Sequence, residues 1–432
     1  MASKPKHFMG GFFMYLKDID VFLCDNSNYL IDIYTGDMFL LNNRDTFLDI
    51  YKGKIVDGNE DIKQFISQNR SRGISCKEAI NVVDINTIRI NVSNDCNLNC
   101  KYCYADGGNY KKEVGLMDIS TATEVVRFIE NYFPNVETIF FFGGEPLLNI
   151  EIIEFICEHL SEKYFKLITN GFFINDKIIE VIKKYDIKIG ISIDGPENIH
   201  DEFRVTKSGA KTFGKICQNI NKLQENGISL TNIQSTYTEF AKRQMKKSDL
   251  VDYFIQNFDF KFLTIGDDVT EKWLDLIKDE DVDSIEIFKK TDKIILDLAM
   301  NVILASKIVK ANGMKCGAGN ELILIHSNGN IYPCQRFISD KEFIMSNIYN
   351  FNMEKFLQKK KEFDDKYVNN SKCSGCLAKY VCNVCLSQIN DISEVQCKLI
   401  EKACEQIYNK LPEYLNDDSL MELIEKNLEK YM

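Results

Sequence analysis

Between residue 86 and about residue 270, short apolar runs alternate with amphipathic stretches: TIRINVS, ETIFFFGG, FKLITNG, IKIGISIDG, ISLTNIQSTYT and FKFLTIG. Strands this continuously apolar, separated by helical patterns, belong in a parallel sheet whose faces are covered by helices. Six such units predict an α/β fold built as a partial (β/α)6 barrel of the TIM kind, open on one side, with functional residues at the C-terminal strand ends. Residues 1–80 carry a different pattern. Short strand-like runs (FFMYL, NYLIDIY, DMFLL) surround a Thr35-Gly36 turn, and helical periodicity follows near 42–53 and 59–70. Past residue 270 a helical stretch from Val282 to Val309 leads into a cysteine-rich region, and a polar helix closes the chain. The predicted organisation is therefore 1–80, 81–300 and 301–432, without an internal repeat or a low-complexity linker.

Length and composition agree with that division. A chain of 432 residues accommodates about three domains at ~150 residues each, and 45% hydrophobic with 27% charged residues is the balance of a globular protein. The net charge of −11 repels phosphate backbones and anionic lipid, so neither nucleic acid nor membrane is expected as a partner. No run of roughly 18 apolar residues exists, and charge interrupts the N-terminus before a signal-peptide core forms; a cytoplasmic location is expected. In that compartment fifteen cysteines point to metal binding rather than disulfides. Three crowd into 96–103 and seven into 316–397, whereas Cys24, Cys76, Cys157, Cys217 and Cys404 are scattered among apolar or helical residues and read as small buried hydrophobes.

The segment SNDCNLNCKYCYADGG follows the first barrel strand and presents Cys96, Cys100 and Cys103 in the spacing CxxxCxxC. Three thiolates on one loop can bind three irons of a 4Fe-4S cube and leave the fourth iron for a small molecule; a zinc knuckle is the structural alternative. With the aromatic Tyr102 before the last cysteine, the loop resembles the defining motif of the radical S-adenosylmethionine (SAM) superfamily. The resemblance implies a 4Fe-4S cluster that cleaves SAM to a 5′-deoxyadenosyl radical able to abstract a substrate hydrogen, chemistry that the protein positions and keeps dry. Phe142-Gly143-Gly144-Glu145-Pro146, ending the second strand, is similar to the family's GGEP motif for the SAM amino group. Its glycines admit close approach of backbone to a ligand, and Glu145 can accept from an ammonium. Thr169-Asn170-Gly171 and Ser192-Ile193-Asp194-Gly195 end the third and fourth strands. By the same resemblance Asn170 is a SAM-pocket position, Ser192 and Asp194 meet ribose hydroxyls, and Arg204 pairs with the SAM carboxylate. Strand-end turns and a surface ion pair are the plainer alternatives.

The second array reads Cys316-x12-Gly329-x4-Cys334, then Cys373-x2-Cys376-x5-Cys382-x2-Cys385, and finally Cys397. It resembles the SPASM domain of radical SAM enzymes that modify peptides and proteins, which implies two auxiliary 4Fe-4S clusters. Seven cysteines exceed the one tetrahedral site of a zinc ribbon. The resemblance assigns Cys316, Cys334 and Cys385 to auxiliary cluster I and Cys373, Cys376, Cys382 and Cys397 to auxiliary cluster II, with Cys404 competing for the last place. The Cys382-x2-Cys385 spacing is one residue shorter than usual in the family. The stretch Lys307–Gly313, where fully ligated relatives carry a further cysteine, has none, which would leave auxiliary cluster I an open position.

Gln335 follows Cys334 where anaerobic sulfatase-maturing enzymes carry an Asp thought to act as base, which argues against formylglycine formation. The YPCQRF sequence at Tyr332–Phe337, Thr236-Tyr237-Thr238 and the short N-terminal module resemble maturases of ribosomally made peptides. This implies a winged-helix-like module at 1–80 that binds the leader of a precursor peptide as an added strand, and a flavodoxin- or ferredoxin-type electron donor. It also implies a thioether cross-link from a Cys sulfur to carbon. A carbon-carbon cross-link and sulfatase-maturing-type chemistry are the alternatives, and an iron-sulfur electron carrier or redox sensor is the non-enzymatic one. No general base is assigned.

Overall fold

The computed structural model describes residues 14–16, 20–24, 28–34, 37–54, 60–75, 85–111, 113–267, 284–296, 300, 302–303, 316–368, 373, 375–382 and 384–429. The Thr35-Gly36 turn and the Lys307–Gly313 stretch lie outside them. Four short strands, β1 (Met14–Leu16), β2 (Val21–Leu23), β3 (Tyr29–Asp32) and β4 (Met38–Leu40), form an antiparallel sheet in sequential order. Helices Arg44–Tyr51 and Glu60–Ser75 follow, the first opened by Asn43, whose side chain accepts from the Thr46 amide at 2.9 Å. Such a cap stabilises a helix by about 1 kcal/mol.

The six predicted barrel strands pair in parallel and in sequence: β5 (Thr87–Ser93), β6 (Thr138–Gly143), β7 (Tyr164–Thr169), β8 (Lys188–Ser192), β9 (Leu230–Tyr237) and β10 (Phe260–Asp267). The sheet then continues on both sides. β11 (Ile294–Ile295) adds to β10, while β12 (Leu322–Ile325) adds parallel to β5 and is followed by antiparallel β13 (Asn330–Tyr332) and β14 (Ser346–Asn347). The result is an α/β core on a mixed, ten-stranded open sheet, consistent with a partial barrel, onto which the cysteine-rich C-terminal region is directly stitched.

Alternation along the strands explains which face does what. Ile88, Ile90, Val92, Ile139, Phe141, Leu167, Ile189 and Ile191 are buried beneath helices such as Ile119–Tyr132 and Asp176–Lys184, each contributing about 1.5–3 kcal/mol of burial. The opposite row is mixed, with Arg89, Phe140 and Lys166 adjacent in register. The near-continuous apolar strands read from the sequence are therefore apolar on the helix side and partly polar inside.

A second core gathers Cys334, Cys382 and Cys404 with Phe22, Cys24 and Ile31 of the N-terminal sheet. That sheet lies against helix Glu394–Leu415: the Phe22 and Tyr408 rings are 5.5 Å apart, and the Cys24 thiol donates to the Tyr408 carbonyl at 3.4 Å. Asp20 accepts from the Tyr380 hydroxyl at 2.7 Å and pairs with Lys379.

Candidate functional site

The cysteine loop leaves β5 and is pinned from two sides. Asn99 and Lys101 donate their amides to the Val205 and Phe203 carbonyls at 2.8 and 3.0 Å, and Asp95 pairs with Lys207 at 2.8 Å. Cys96, Cys100 and Cys103 are close enough to influence one another electrostatically. Burial pushes the Cys96 thiol up to about 12, with the Glu145 charge adding to it, and pushes Cys100 up to about 11 despite Arg204. Thiols so buried stay protonated unless a cation takes the proton's place, which is the donor chemistry of a metal site. Among the described residues no three His, Cys, Asp or Glu side chains converge on a single ion. A cubane asks for something else, one thiolate per iron, and three mutually close cysteines on one loop fit that demand.

Gly143 and Gly144 fit the strand end to this loop. A Cβ on Gly143, which sits at φ +151°, would fall on the Ser93 carbonyl; one on Gly144 would lie 2.7 Å from the Gly108 Cα and collide with the Asp95 carbonyl. Here the close approach is to the chain's own backbone. Pro146 opens the short turn Pro146–Asn149, and Glu145 caps it by accepting from the Leu147 amide at 3.1 Å. The same buried carboxylate accepts from the Thr169 hydroxyl at 2.7 Å and the Asn170 amide at 2.8 Å, yet burial still raises it to about 7. Asn170 reaches back with its side-chain amide to Asn97 Oδ1 at 2.7 Å and Cys96 Sγ at 3.6 Å.

Asp194 and Arg204 face each other. Asp194 Oδ2 accepts from Arg204 Nε at 2.9 Å and from the Tyr102 hydroxyl, and its Oδ1 accepts from the Thr236 amide at 2.9 Å. Arg204 also lies over the Tyr102 ring at 5.5 Å. Ser192, half-buried, ends β8 opposite Gln234. Thus Cys96, Cys100, Cys103, Tyr102, Glu145, Asn170, Asp194 and Arg204 form one connected assembly at the C-terminal strand ends. Sequence reasoning missed His200, whose ring meets the Asp194 amide and the Thr212 hydroxyl, and which burial depresses to about 4.

In the C-terminal region Cys316, Cys334 and Cys385 are mutual neighbours, and burial pushes Cys334 up to about 12. Cys376 and Cys382 have Cys404 beside them, fully buried on helix Glu394–Leu415, with Glu401 one turn earlier accepting from the Leu377 amide at 3.2 Å. Cys373 packs against the same core. Cys397 is half-buried in the first turn of that helix. Sequence reasoning also missed Arg89, whose Nη1 donates to the Gln335 side chain and whose charge is felt by Cys316 and Cys334; a lone Arg in an apolar strand was the available signal.

Residues 90–238 match the model of the radical SAM superfamily. Over 126 residues the chain is 44% identical to an uncharacterised protein of Methanocaldococcus jannaschii, covering 28% of this chain and 42% of that one. It is 25% identical over 376 residues to the radical SAM cyclopropyl synthase TigE of Paramaledivibacter caminithermalis, covering 78% of this chain and 74% of that one. To the cysteine-type anaerobic sulfatase-maturating enzyme of Clostridium novyi it is 27% identical over 319 residues, covering 66% and 83%. The fold is shared with native anSMEcpe with bound AdoMet (TM-score 0.63, 20% identity, 79% of this chain and 99% of that one). It is also shared with Streptococcus suis SuiB bound to precursor peptide SuiA (TM-score 0.53, 16% identity, 88% and 95%).

Proposed function

Because the chain belongs to the radical SAM superfamily, with relatives among the peptide-modifying maturases, it is a radical SAM oxidoreductase, and we propose that it abstracts hydrogen from a ribosomal precursor peptide and forms a carbon-carbon link within it. The observation that carries the reading is the assembly in which Cys96, Cys100 and Cys103 meet Glu145 and Asn170 at the mouth of the parallel strands. Those three cysteines would hold a 4Fe-4S cluster, which together with SAM supplies reductive cleavage and a hydrogen-abstracting radical. Gly143 and Gly144 seat the strand end against the cysteine loop. Glu145 would offer its buried carboxylate to the SAM ammonium, and Ser192, at the end of β8, would hydrogen-bond a ribose hydroxyl. Asp194 orients Tyr102 and Arg204 beside the loop.

Relatives matched over 376 and 319 residues, a cyclopropyl synthase and a cysteine-type sulfatase maturase, support the alternatives read from the sequence better than a thioether. Between the two, the neutral Gln335, hydrogen-bonded to Arg89, favours the carbon-carbon product, since no carboxylate stands there to act as base. Cys316, Cys334 and Cys385, and separately Cys373, Cys376, Cys382 and a cysteine of helix Glu394–Leu415, would hold the two auxiliary clusters. The N-terminal sheet is assigned to leader binding: β4 pairs on one side only among the described residues and exposes Phe39 and Leu40, as an added strand requires. A flavodoxin- or ferredoxin-type protein is the proposed electron donor. The test incubates the reduced, iron-reconstituted enzyme with SAM and the precursor encoded beside it. Expected are 5′-deoxyadenosine and a peptide that has lost hydrogen while keeping its titratable thiols. Loss of a thiol with its sulfur kept in the peptide would establish the thioether instead, loss of a thiol together with its sulfur would establish sulfatase-maturing-type chemistry, and undiminished SAM cleavage by Cys96→Ala, Cys100→Ala or Cys103→Ala would overturn the whole reading.

A further inference from the structure

We propose that Arg89 sets the redox potential of the auxiliary cluster held by Cys316, Cys334 and Cys385, as an uncompensated guanidinium that the first barrel strand delivers beside it and that favours the reduced cluster. The proposal rests on the auxiliary-cluster reading of those cysteines. Arg89 points to the inner side of β5, away from Ile88 and Ile90, and β12 of the cysteine-rich region is hydrogen-bonded alongside it with Leu324 as its register partner. Its guanidinium lies 5.1 Å from the centre of the Phe140 ring, and Nη1 donates to Oε1 of Gln335, the residue after Cys334. Nε is buried without a hydrogen-bond partner, and among the described residues no carboxylate pairs with the side chain. The charge is therefore held in place by a neutral amide and an aromatic face, neither of which cancels it; the Glu321 carboxylate opposes it at Cys316 but acts there more weakly than Arg89.

Reduction of a thiolate-ligated cluster adds one negative charge, and a nearby fixed cation interacts more favourably with the reduced than with the oxidised state. Net charge and neighbouring groups are among the levers that set such potentials, and residues beyond the ligands commonly supply them. The arrangement also gives Gln335 a physical meaning. An acidic residue in its place would pair with Arg89 and remove the field; the amide fixes the guanidinium and leaves its charge intact. Because Arg89 precedes the Cys96 loop on the same strand, the region that generates the radical and the region that handles the electron share one rigid element.

The test is an EPR-monitored redox titration of the full chain, reconstituted anaerobically with iron and sulfide, for wild type, Arg89→Met, Arg89→Lys and Gln335→Glu. Expected is a shift of one auxiliary signal to more negative potential in Arg89→Met and in Gln335→Glu, a near-native value in Arg89→Lys, and an unmoved signal from the SAM-binding cluster. Should Arg89→Met lose iron, Gln335→Glu keeps both the guanidinium and the packing and still decides the matter. Wild-type chain with iron for a single cluster would bring down the auxiliary-cluster reading and this proposal together. Intact auxiliary iron with an unmoved potential in both charge-cancelling variants would overturn the role of Arg89 alone.

Discussion

Replacing Asp194 by Ala removes the acceptor on which the Tyr102 hydroxyl, Arg204 Nε and the Thr236 amide converge. Arg204 is only 9% exposed, so its guanidinium is left charged with its carboxylate gone. Removing one partner of a buried ion pair costs about 3–5 kcal/mol. An orphaned buried amide adds about 1–3 kcal/mol, part of which water entering the vacated volume recovers. We therefore expect Asp194→Ala to lose about 4–6 kcal/mol, read by chemical denaturation of the apo chain followed by circular dichroism. The double variant Asp194→Ala/Arg204→Met, which removes both charges, should be more stable than the single one, since the uncompensated charge has gone. Tyr102 immediately precedes Cys103, so a loosened ring shifts the loop, and a misplacement of about 1 Å is enough for a loss of SAM cleavage on the order of 100-fold. A single-variant cost below about 1 kcal/mol, or a double variant less stable than the single, would refute the view that this carboxylate holds the loop in place.

Gly144→Ala drives a methyl into backbone on two sides, 2.7 Å from the Gly108 Cα, and should cost at least ~2 kcal/mol and lower iron uptake; Gly214→Ala, whose Cβ meets nothing within 4 Å, is the control, and equal melting temperatures would refute the reasoning. Two buried groups pull stability in opposite directions with pH. Glu145, raised from 4.5 to about 7, makes the folded chain hold a proton the unfolded one releases, so stability is lost as pH rises through that window. His200, lowered from 6.5 to about 4, makes stability fall as pH falls through its own window. Glu145→Gln should leave stability rising between about pH 4 and 6.5 and His200→Gln should leave it falling between about 4.5 and 7, both measured by denaturation of the apo chain; identical slopes would contradict the assignment. Cys404, beside Cys376 and Cys382, competes with Cys397 for the last place of auxiliary cluster II, and Cys404→Ser should remove or alter its iron signal, by iron counting and EPR; an unaltered signal in Cys404→Ser with loss of the signal in Cys397→Ser would make Cys397 the ligand.

What the sequence made legible was local. Strand runs such as TIRINVS and IKIGISIDG, and the CxxxCxxC and GGEP segments, each declare themselves within a dozen residues, and the structure brings the two segments together at the strand ends. Contacts across the chain were not legible. Gly143 and Gly144 advertise close approach, but nothing local says that the approaching atoms belong to Ser93 and Asp95. Cys397 and Cys404 stand seven apart on helix Glu394–Leu415 and share one face, so periodicity could not choose between them. Asp194 and Arg204 each suited a ligand when read alone; their shared hydrogen bond depends on the helix Glu197–Phe203 turning Arg204 back toward β8. The extension of the sheet by β12 was equally hidden, because an apolar run of four residues announces a strand without naming its neighbour.

The way the N-terminal sheet shares a core with Cys382, Cys404 and Tyr408 bears on how chains of this kind could be recombined. A chimera cut at residue 80, meant to exchange one recognition module for another, would strand Phe22, Cys24 and Ile31 from the helix they pack against and open the cysteine core to solvent. The transplantable cassette is discontinuous: the sheet with the helices Arg44–Tyr51 and Glu60–Ser75, whose Phe47, Ile50 and Ile66 share a core with Val21, Leu23 and Leu30, together with helix Glu394–Leu415. Shuffling at a linear boundary would therefore be selected against, and the two termini are expected to change in concert, with substitutions at Phe22 or Cys24 answered at Tyr408.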